Sequence, residues 1–231
     1  MHTTYFNWST GKDSALALYE LLQDSSFKVT KLVTTVNSHY QRVSMHGLRV
    51  DLLKRQVAAL GLPVQYIELP ESPDMDDYNA IMTTVTTQLK TEGYTHAAFG
   101  DIFLEDLKFY REMQLMEVGI TGVFPLWKRN TKELMKMFLE LGFKAIVVCA
   151  NAKYFNADFV GTVLDQNVID NLPEGVDPCG ENGEFHTFCF SGPLFKERIA
   201  FEIGETTYRE YPAPSKNAEA VGFWYCDLLA Q

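Results

Sequence analysis

The chain reads as an α/β protein on three observations. Short apolar runs alternate with helical periods through about residue 150, a small polar loop separates the first run from the first helix, and the texture changes after Asn151. Together they predict a parallel sheet with helices on both faces over residues 1–150, followed by a smaller α+β part over 151–231.

Thr4 to Trp8 forms the first strand and leads directly into Ser9-Thr10-Gly11-Lys12-Asp13-Ser14; from Ser14, residues Ala15, Leu18, Leu21 and Leu22 share one helical face. Lys31 to Val36 is β-branched and makes the second strand. A polar loop, Asn37 to Gly47, precedes a helix carrying Leu52, Leu53, Val57 and Leu60, which Gly61 and Pro63 end. Val64 to Leu69 is the third strand, Asp74 to Glu92 a helix, and Tyr94 to Gly100 the fourth strand. Leu107, Tyr110, Met113 and Gln114 mark a helix, Gly122 to Trp127 a short strand, and Leu134, Met137, Phe138 and Leu141 a helix whose apolar residues belong to the core. Ala145 to Cys149 is wholly apolar, as in a strand buried on both faces, and is expected to join the parallel sheet. Beyond Asn151, glycines and prolines cluster between Pro173 and Pro193, one helix is expected around Val163 to Leu172, and Phe185 to Tyr211 alternates like antiparallel strands until Pro212 and Pro214 break the pattern.

Acidic residues number 30 and basic residues 20, a formal charge of −10 that disfavours nucleic-acid and anionic-membrane partners. Cys149, Cys179, Cys189 and Cys226 contain no CxxC pair, which argues against structural zinc and thioredoxin-like redox chemistry and for free thiols in a reducing compartment. No run of 18 apolar residues exists, and the first residues read as structure rather than a leader, so the expected location is the cytoplasm.

The loop from Ser9 to Ser14 is the most informative segment. A helix amino terminus presents unpaired N–H groups and partial positive charge, which suit phosphate. Gly11 permits close backbone approach, Ser9 and Ser14 bring hydroxyls, and Lys12 brings a cation. Asp13 would repel bare phosphate, which points to Mg²⁺ or to a helix cap. The loop is not a Walker A motif, because Phe6 stands where that motif needs Gly, and no G-x-G-x-x-G occurs. A cap without ligand is the other reading; the position after the first strand of an α/β sheet favours the ligand.

The second dense run is Asp177-Pro178-Cys179-Gly180-Glu181-Asn182-Gly183-Glu184-Phe185-His186-Thr187. Glu181, Glu184 and His186 within six positions offer proton transfer near neutral pH or recognition of an amine. A solvated Gly-rich turn into a strand is the alternative.

Ser-Thr-Gly-Lys-Asp-Ser resembles the S-G-G-x-D-S pyrophosphate loop of ATP pyrophosphatases, with Thr10 in place of a Gly. With Met45-His46-Gly47-Leu48-Arg49, Phe99-Gly100-Asp101-Ile102, Arg111-Glu112, Pro125-Leu126-Trp127 and the run to Thr187, the chain resembles the diphthine–ammonia ligase family from about residue 5 to Phe195. The resemblance implies a Rossmann-like domain of the adenine nucleotide α-hydrolase type and a family-specific C-terminal part completing an acceptor site. It implies a carboxylate adenylated by ATP, loss of pyrophosphate, and attack by ammonia or an amine. Carried over, Ser9, Thr10, Gly11, Lys12, Asp13 and Ser14 hold ATP, Asp13 holds Mg²⁺, and Gly100 and Asp101 border the nucleotide. Glu181, Glu184 and His186, with His46 and Arg49, face the acceptor, and Lys12, Asp13, Glu181, Glu184 and His186 form the catalytic set.

The family commonly reads G-E-G-G-E-[FY]-E-T where this chain has Asn182 and His186. His186 replaces a carboxylate that would favour the trimethylammonium of diphthine. The variant resembles the bacterial branch of the family; bacteria lack diphthamide, which opens the identity of the acceptor, protein-borne or small. His39, Tyr40, Arg42, Glu105 and Asp106 are weaker candidates, and His96 reads as structural. An ATP-binding or pyrophosphatase protein without ligase chemistry is one rival, although the G-x2-G-x9-G-[ST] pattern fails at Lys132. Transfer-RNA modification is another, which the charge and the missing CxxC disfavour. A homo-oligomer is compatible with every reading.

Overall fold

The computed structural model describes the chain apart from residues 44–46 and 212–219. The first sheet contains β1 (His2–Asn7), β2 (Phe27–Asn37), β3 (Arg42–Val43), β4 (Val64–Leu69), β5 (His96–Ala98) and β6 (Thr121–Val123). Strands β4, β2, β1, β5 and β6 lie side by side and parallel. Val36 pairs with Glu68 of β4 on one side and with Val43 of β3 on the other, so the antiparallel β3 continues the line of β1 past its carboxyl end.

The helices of this half are α1 (Lys12–Gln23), α2 (Val50–Leu60), α3 (Met75–Thr91) and α4 (Glu105–Glu117). Period-two alternation sends Phe6, Leu32, Val36 and Ala98 to one face of the sheet, where they pack with Leu16, Leu18, Leu52 and Leu53 of α1 and α2. Tyr5, Val33, Ile67 and Ala97 go to the other face and meet Leu89 of α3 and Leu115 of α4. Gly61 ends α2 in the left-handed conformation at φ 71°, as its place after Leu60 predicts, and the Asp74 side chain caps α3 by accepting from the Asp77 N–H at 2.8 Å. The chain runs from β1 to β2 and β4 on one side, then returns to β5 on the other side of β1. That reversal opens a crevice at the carboxyl ends of β1 and β5.

After α5 (Thr131–Glu140) come β7 (Lys144–Asn151), α6 (Gln166–Asp170), β8 (Phe185–Ser191), β9 (Phe201–Tyr211) and β10 (Val221–Ala230). The four strands form a second, antiparallel sheet in the order β8-β7-β10-β9. This corrects one expectation: the apolar run Ala145 to Cys149 lies between β8 and β10, not in the parallel sheet. An apolar run reports burial on two faces and carries no information on strand direction, and Ala145 through Ala150 are indeed buried. Strand β10 has no counterpart in the sequence reading, because its aromatic stretch Phe223-Trp224-Tyr225 does not alternate. The edge strand β9 is bulged opposite Cys226–Leu228, a device that twists an exposed edge out of register for pairing.

The second sheet packs through β8 on α1 and through β10 on α2, so one core runs from Phe6 to Phe188 and Phe190. Gln56, fully buried on α2, joins the two halves. Its Nε2 donates to the carbonyls of Thr10 (2.9 Å) and Cys189 (2.6 Å), and its Oε1 accepts from the Trp8 indole at 2.7 Å. Gln56→Met keeps the volume but strips the buried Trp8 N–H of this acceptor and removes three hydrogen bonds. The expected cost is ~3 kcal/mol in urea unfolding; wild-type stability would show that the junction carries no load.

Candidate active site

The loop between β1 and α1 is built by surrounding strands and turns. Thr10, at φ 74°, turns the chain so that its carbonyl points inward, where it also accepts from the Cys189 N–H at 3.0 Å. The Lys12 N–H donates to Thr187 Oγ1 at 3.1 Å, and Ser14 Oγ accepts from the Ser9 N–H at 3.0 Å. Gly11 occupies the N-cap position of α1 and has no side chain to cap it, and the Thr187 hydroxyl takes the first helical N–H in its place. Ser9 is exposed, whereas Thr10, Gly11, Lys12 and Ser14 are buried.

Gly100 closes the other side of the crevice. A Cβ there would stand 3.1 Å from the Asp13 carbonyl carbon and the Ser14 nitrogen, so any side chain would press on the backbone at the start of α1, and glycine lets the β5 exit lie close against it. Asp101 follows, and Arg111 Nε lies 2.9 Å from its Oδ2 while the guanidinium stacks on Phe99 at 4.5 Å. Burial pushes the Asp101 carboxyl up, with Arg111 opposing.

Lys12 is 2% exposed. Its ammonium contacts Asp13 Oδ2 at 2.7 Å and the Cys179 carbonyl, and lies over the Phe185 ring. Burial alone would lower its pKa, yet Asp13, Cys179 and Glu181 together outweigh burial and hold it above the ordinary value, so it remains a cation with one N–H left for an incoming anion. Burial raises Asp13, with Lys12 opposing and Asp177 adding.

The turn from Asp177 to Thr187 meets this loop. Glu181 Oε1 accepts from the Ile102 N–H at 2.7 Å, bridging the turn to the β5 exit. Burial, reinforced by Asp13 and Asp101, pushes its carboxyl up to about 7 against the pull of the Ile102 N–H and Lys12. Glu184 is buried and directed into its own turn, accepting from the N–H groups of Asp177 and Asn182, each at 3.0 Å. The Asp177 carboxylate likewise takes the N–H groups of Cys179 (2.9 Å) and Glu181 (3.1 Å). Burial and Lys12 push His186 down to about 4, so its imidazole is neutral at pH 7.

Ser9, Gly11 to Ser14, Gly100, Asp101, Glu181 and His186 all border one cleft of about 1700 Å³. That exceeds the volume typical of a single small-ligand pocket and leaves room for two substrates. Arg49 lies farther along the cleft and is bidentate to Asp227, through Nε at 3.0 Å and Nη2 at 2.7 Å, while Arg42 reaches the same carboxylate at 2.9 Å. These two arginines hold Asp227 below the ordinary range although burial opposes them. His46 lies outside the described residues. Sequence reasoning missed Gln56, Asp177 and Asp227. Of these only Gln56 carried a signal, as a lone amide on the apolar face of Leu53, Val57 and Leu60.

The Glu181 geometry has a measurable consequence. Its carboxyl rises from 4.5 unfolded to about 7 folded, so between those values the native state holds the extra proton and stability falls as pH rises through the window. Glu181→Gln retains the acceptor for Ile102 but cannot ionise. Relative to wild type it is expected to gain ~2 kcal/mol between pH 4.5 and 7.5 in urea unfolding; parallel pH curves for the two proteins would sink the assignment.

Comparison with known proteins now bears on this site. The model of the diphthamide synthase N-terminal domain matches residues 2–122, and that of the diphthamide synthase C-terminal domain matches residues 130–213. Diphthine–ammonia ligase of Homo sapiens is 25% identical over 178 residues, and that of Bos taurus 28% identical over 178 residues. Each alignment covers 74% of this chain and 65% of the relative, so the chain spans somewhat less than two thirds of those proteins. The solved U34-tRNA thiolase NcsA from Methanococcus maripaludis, with its 4Fe-4S cluster, aligns with a TM-score of 0.40 and 15% identity over 61% of this chain and 57% of that one. With both domain models matched in order across most of its length, the chain belongs to the diphthamide synthase family.

Proposed function

We propose that the protein is an ATP-dependent, AMP- and pyrophosphate-forming amide ligase, similar to diphthine–ammonia ligase, acting on a carboxylate acceptor with ammonia or an amine. One observation carries this reading. The glycine N-cap of α1, the glycine exit of β5 and a carboxyl group raised to about 7 border the same cleft, at the switch point of the sheet.

The triphosphate lies along Ser9 to Ser14, with the free donor of Lys12 and the helix terminus steadying its charge. The apolar residues Val33, Ile67, Leu69 and Phe99 line the neighbouring part of the cleft and suit the adenine. Mg²⁺ fits as the companion of ATP. Asp13, Asp101 and Glu181 crowd negative charge near the loop, and magnesium needs few protein ligands beside phosphate, so Asp13 would hold it. Bound there, the ion supplies charge neutralisation on the phosphates.

The acceptor carboxylate attacks the α-phosphorus, the bond from that phosphorus to the bridging oxygen breaks, and pyrophosphate leaves. The amine lone pair then attacks the acyl carbon, the bond to AMP breaks, and the ammonium proton of the intermediate passes to Glu181. A carboxylate poised near neutrality suits that transfer. Holding both reactants in one cleft supplies much of the acceleration through proximity. Glu184 and Asp177 hold the turn that carries Glu181, and the neutral His186 faces the acceptor without a charge. Residues 1–150 thus serve the nucleotide and residues 151–231 complete the acceptor side, with Arg49 on its rim. Among the described residues no helix is long and apolar enough to cross a membrane.

The test supplies Mg-ATP, ammonium and diphthine-bearing elongation factor 2, and measures AMP, ADP and amidated factor. Acid-dependent AMP supports the ligase, and factor-dependent AMP makes diphthine the acceptor. Lys12→Ala and Asp13→Ala are each expected to lower AMP formation by about 100-fold or more, the scale of a lost charge-stabilising group. ADP in place of AMP, or unimpaired variants, overturns the assignment; AMP without any acceptor dependence makes the protein a pyrophosphatase.

A further inference from the structure

Five cations line the cleft among the described residues: Lys12, Arg42, Arg49, Arg111 and Arg209. Four are held by carboxylates, Lys12 by Asp13, Arg42 and Arg49 by Asp227, and Arg111 by Asp101. Arg209 has no carboxylate partner among the described residues. Its guanidinium lies over the Tyr225 ring at 5.7 Å, and the Tyr225 hydroxyl is fixed in turn by Tyr211 at 3.1 Å and by the Cys149 thiol. This cation–π contact holds the guanidinium beside the ring, where its donors line the cleft.

Asp227 is shared by two guanidinium groups, so that trio carries a net positive charge. Glu71 accepts from the Tyr40 hydroxyl at 2.9 Å, and Glu205 lines the cleft at the β9 bulge, four residues before Arg209 on the same strand and with no ion pair to it among the described residues. A guanidinium without a carboxylate is a binding fork for a carboxylate or a phosphate. The acceptor carboxylate that reacts must lie at the phosphate loop, so an anion at Arg209 is a different group of the acceptor.

Resting on the ligase reading above, we infer that the acceptor bears two anionic groups: the carboxylate that is activated, and a second carboxylate or phosphate that docks on Arg209. Arg209 is then a specificity-determining residue, and the acceptors are dianionic acids rather than the cationic diphthine side chain.

The test titrates α,ω-dicarboxylates from succinate to sebacate, their monomethyl esters, and 4-phosphonobutyrate into the full chain. It is saturated beforehand with Mg²⁺ and an ATP analogue whose α–β bridge is methylene. At least one dianion is expected to bind about ten-fold or more tighter than its monoester. Arg209→Gln, checked as folded by circular dichroism and melting temperature, loses that preference, and Arg209→Lys keeps part of it. A tighter phosphonate than dicarboxylate assigns the second group as phosphate, and the reverse as carboxylate. No preference for dianions in the wild type, including no measurable binding, overturns the inference, as does a preference that survives in Arg209→Gln. With ATP in place of the analogue, Arg209-dependent binding without acid-dependent AMP overturns the ligase reading and leaves the anion site. Acid-dependent AMP without dianion preference overturns this inference alone.

Discussion

The structure depends on one constraint: a loop that turns its polar groups inward at a helix start must have them satisfied by the rest of the protein. The Thr10 carbonyl points inward, and it takes one hydrogen bond from Gln56 of α2 and another from the Cys189 N–H of β8. The Lys12 N–H finds Thr187 of the same strand. Buried polar groups left unpaired cost more than the bonds are worth when made, so the loop holds its shape only with β8 in place. The second sheet therefore builds the Ser9–Ser14 loop, and α1 and α2 share one apolar core with it.

The same enclosure sets the electrostatics. Asp13, Asp101 and Glu181 are all raised by burial, while Lys12 stays charged because Asp13, Cys179 and Glu181 together offset the loss of water. A low-dielectric cleft makes every remaining charge count more, so the single open donor of Lys12 and the carboxyl of Glu181 act at close quarters. His186 shows the opposite effect. In the strand after the turn, burial and the Lys12 charge keep it neutral.

Farther along the cleft the walls come from distant segments. Asp227 of β10 gathers Arg42 and Arg49 and fixes the start of α2 and the short β3 against the second sheet. Gly47 stands with its Cα facing Tyr225, where an added Cβ would be in ordinary contact at 3.6 Å. Strand β3 extends the line of β1, so this wall overhangs the carboxyl end of the strand that feeds the Ser9–Ser14 loop.

Local pattern sufficed for much of the molecule. Val64–Leu69 is a strand at the expected residues, Gly61 ends α2, and the Ser9–Ser14 loop joins the first strand to the first helix. These follow from neighbours in sequence: alternation, a left-handed glycine, small residues at a helix start. The family, too, was legible in the two dense motifs. Tertiary structure alone decided that Lys144–Asn151 joins an antiparallel sheet, since burial on both faces looks the same for either strand direction. It decided that Glu184 turns into its own loop while Glu181 reaches Ile102, two carboxylates that sequence could not tell apart. And it decided which cations are spent on carboxylates, because the partner of Arg49 lies 178 residues away at Asp227 and no local rule reaches that far.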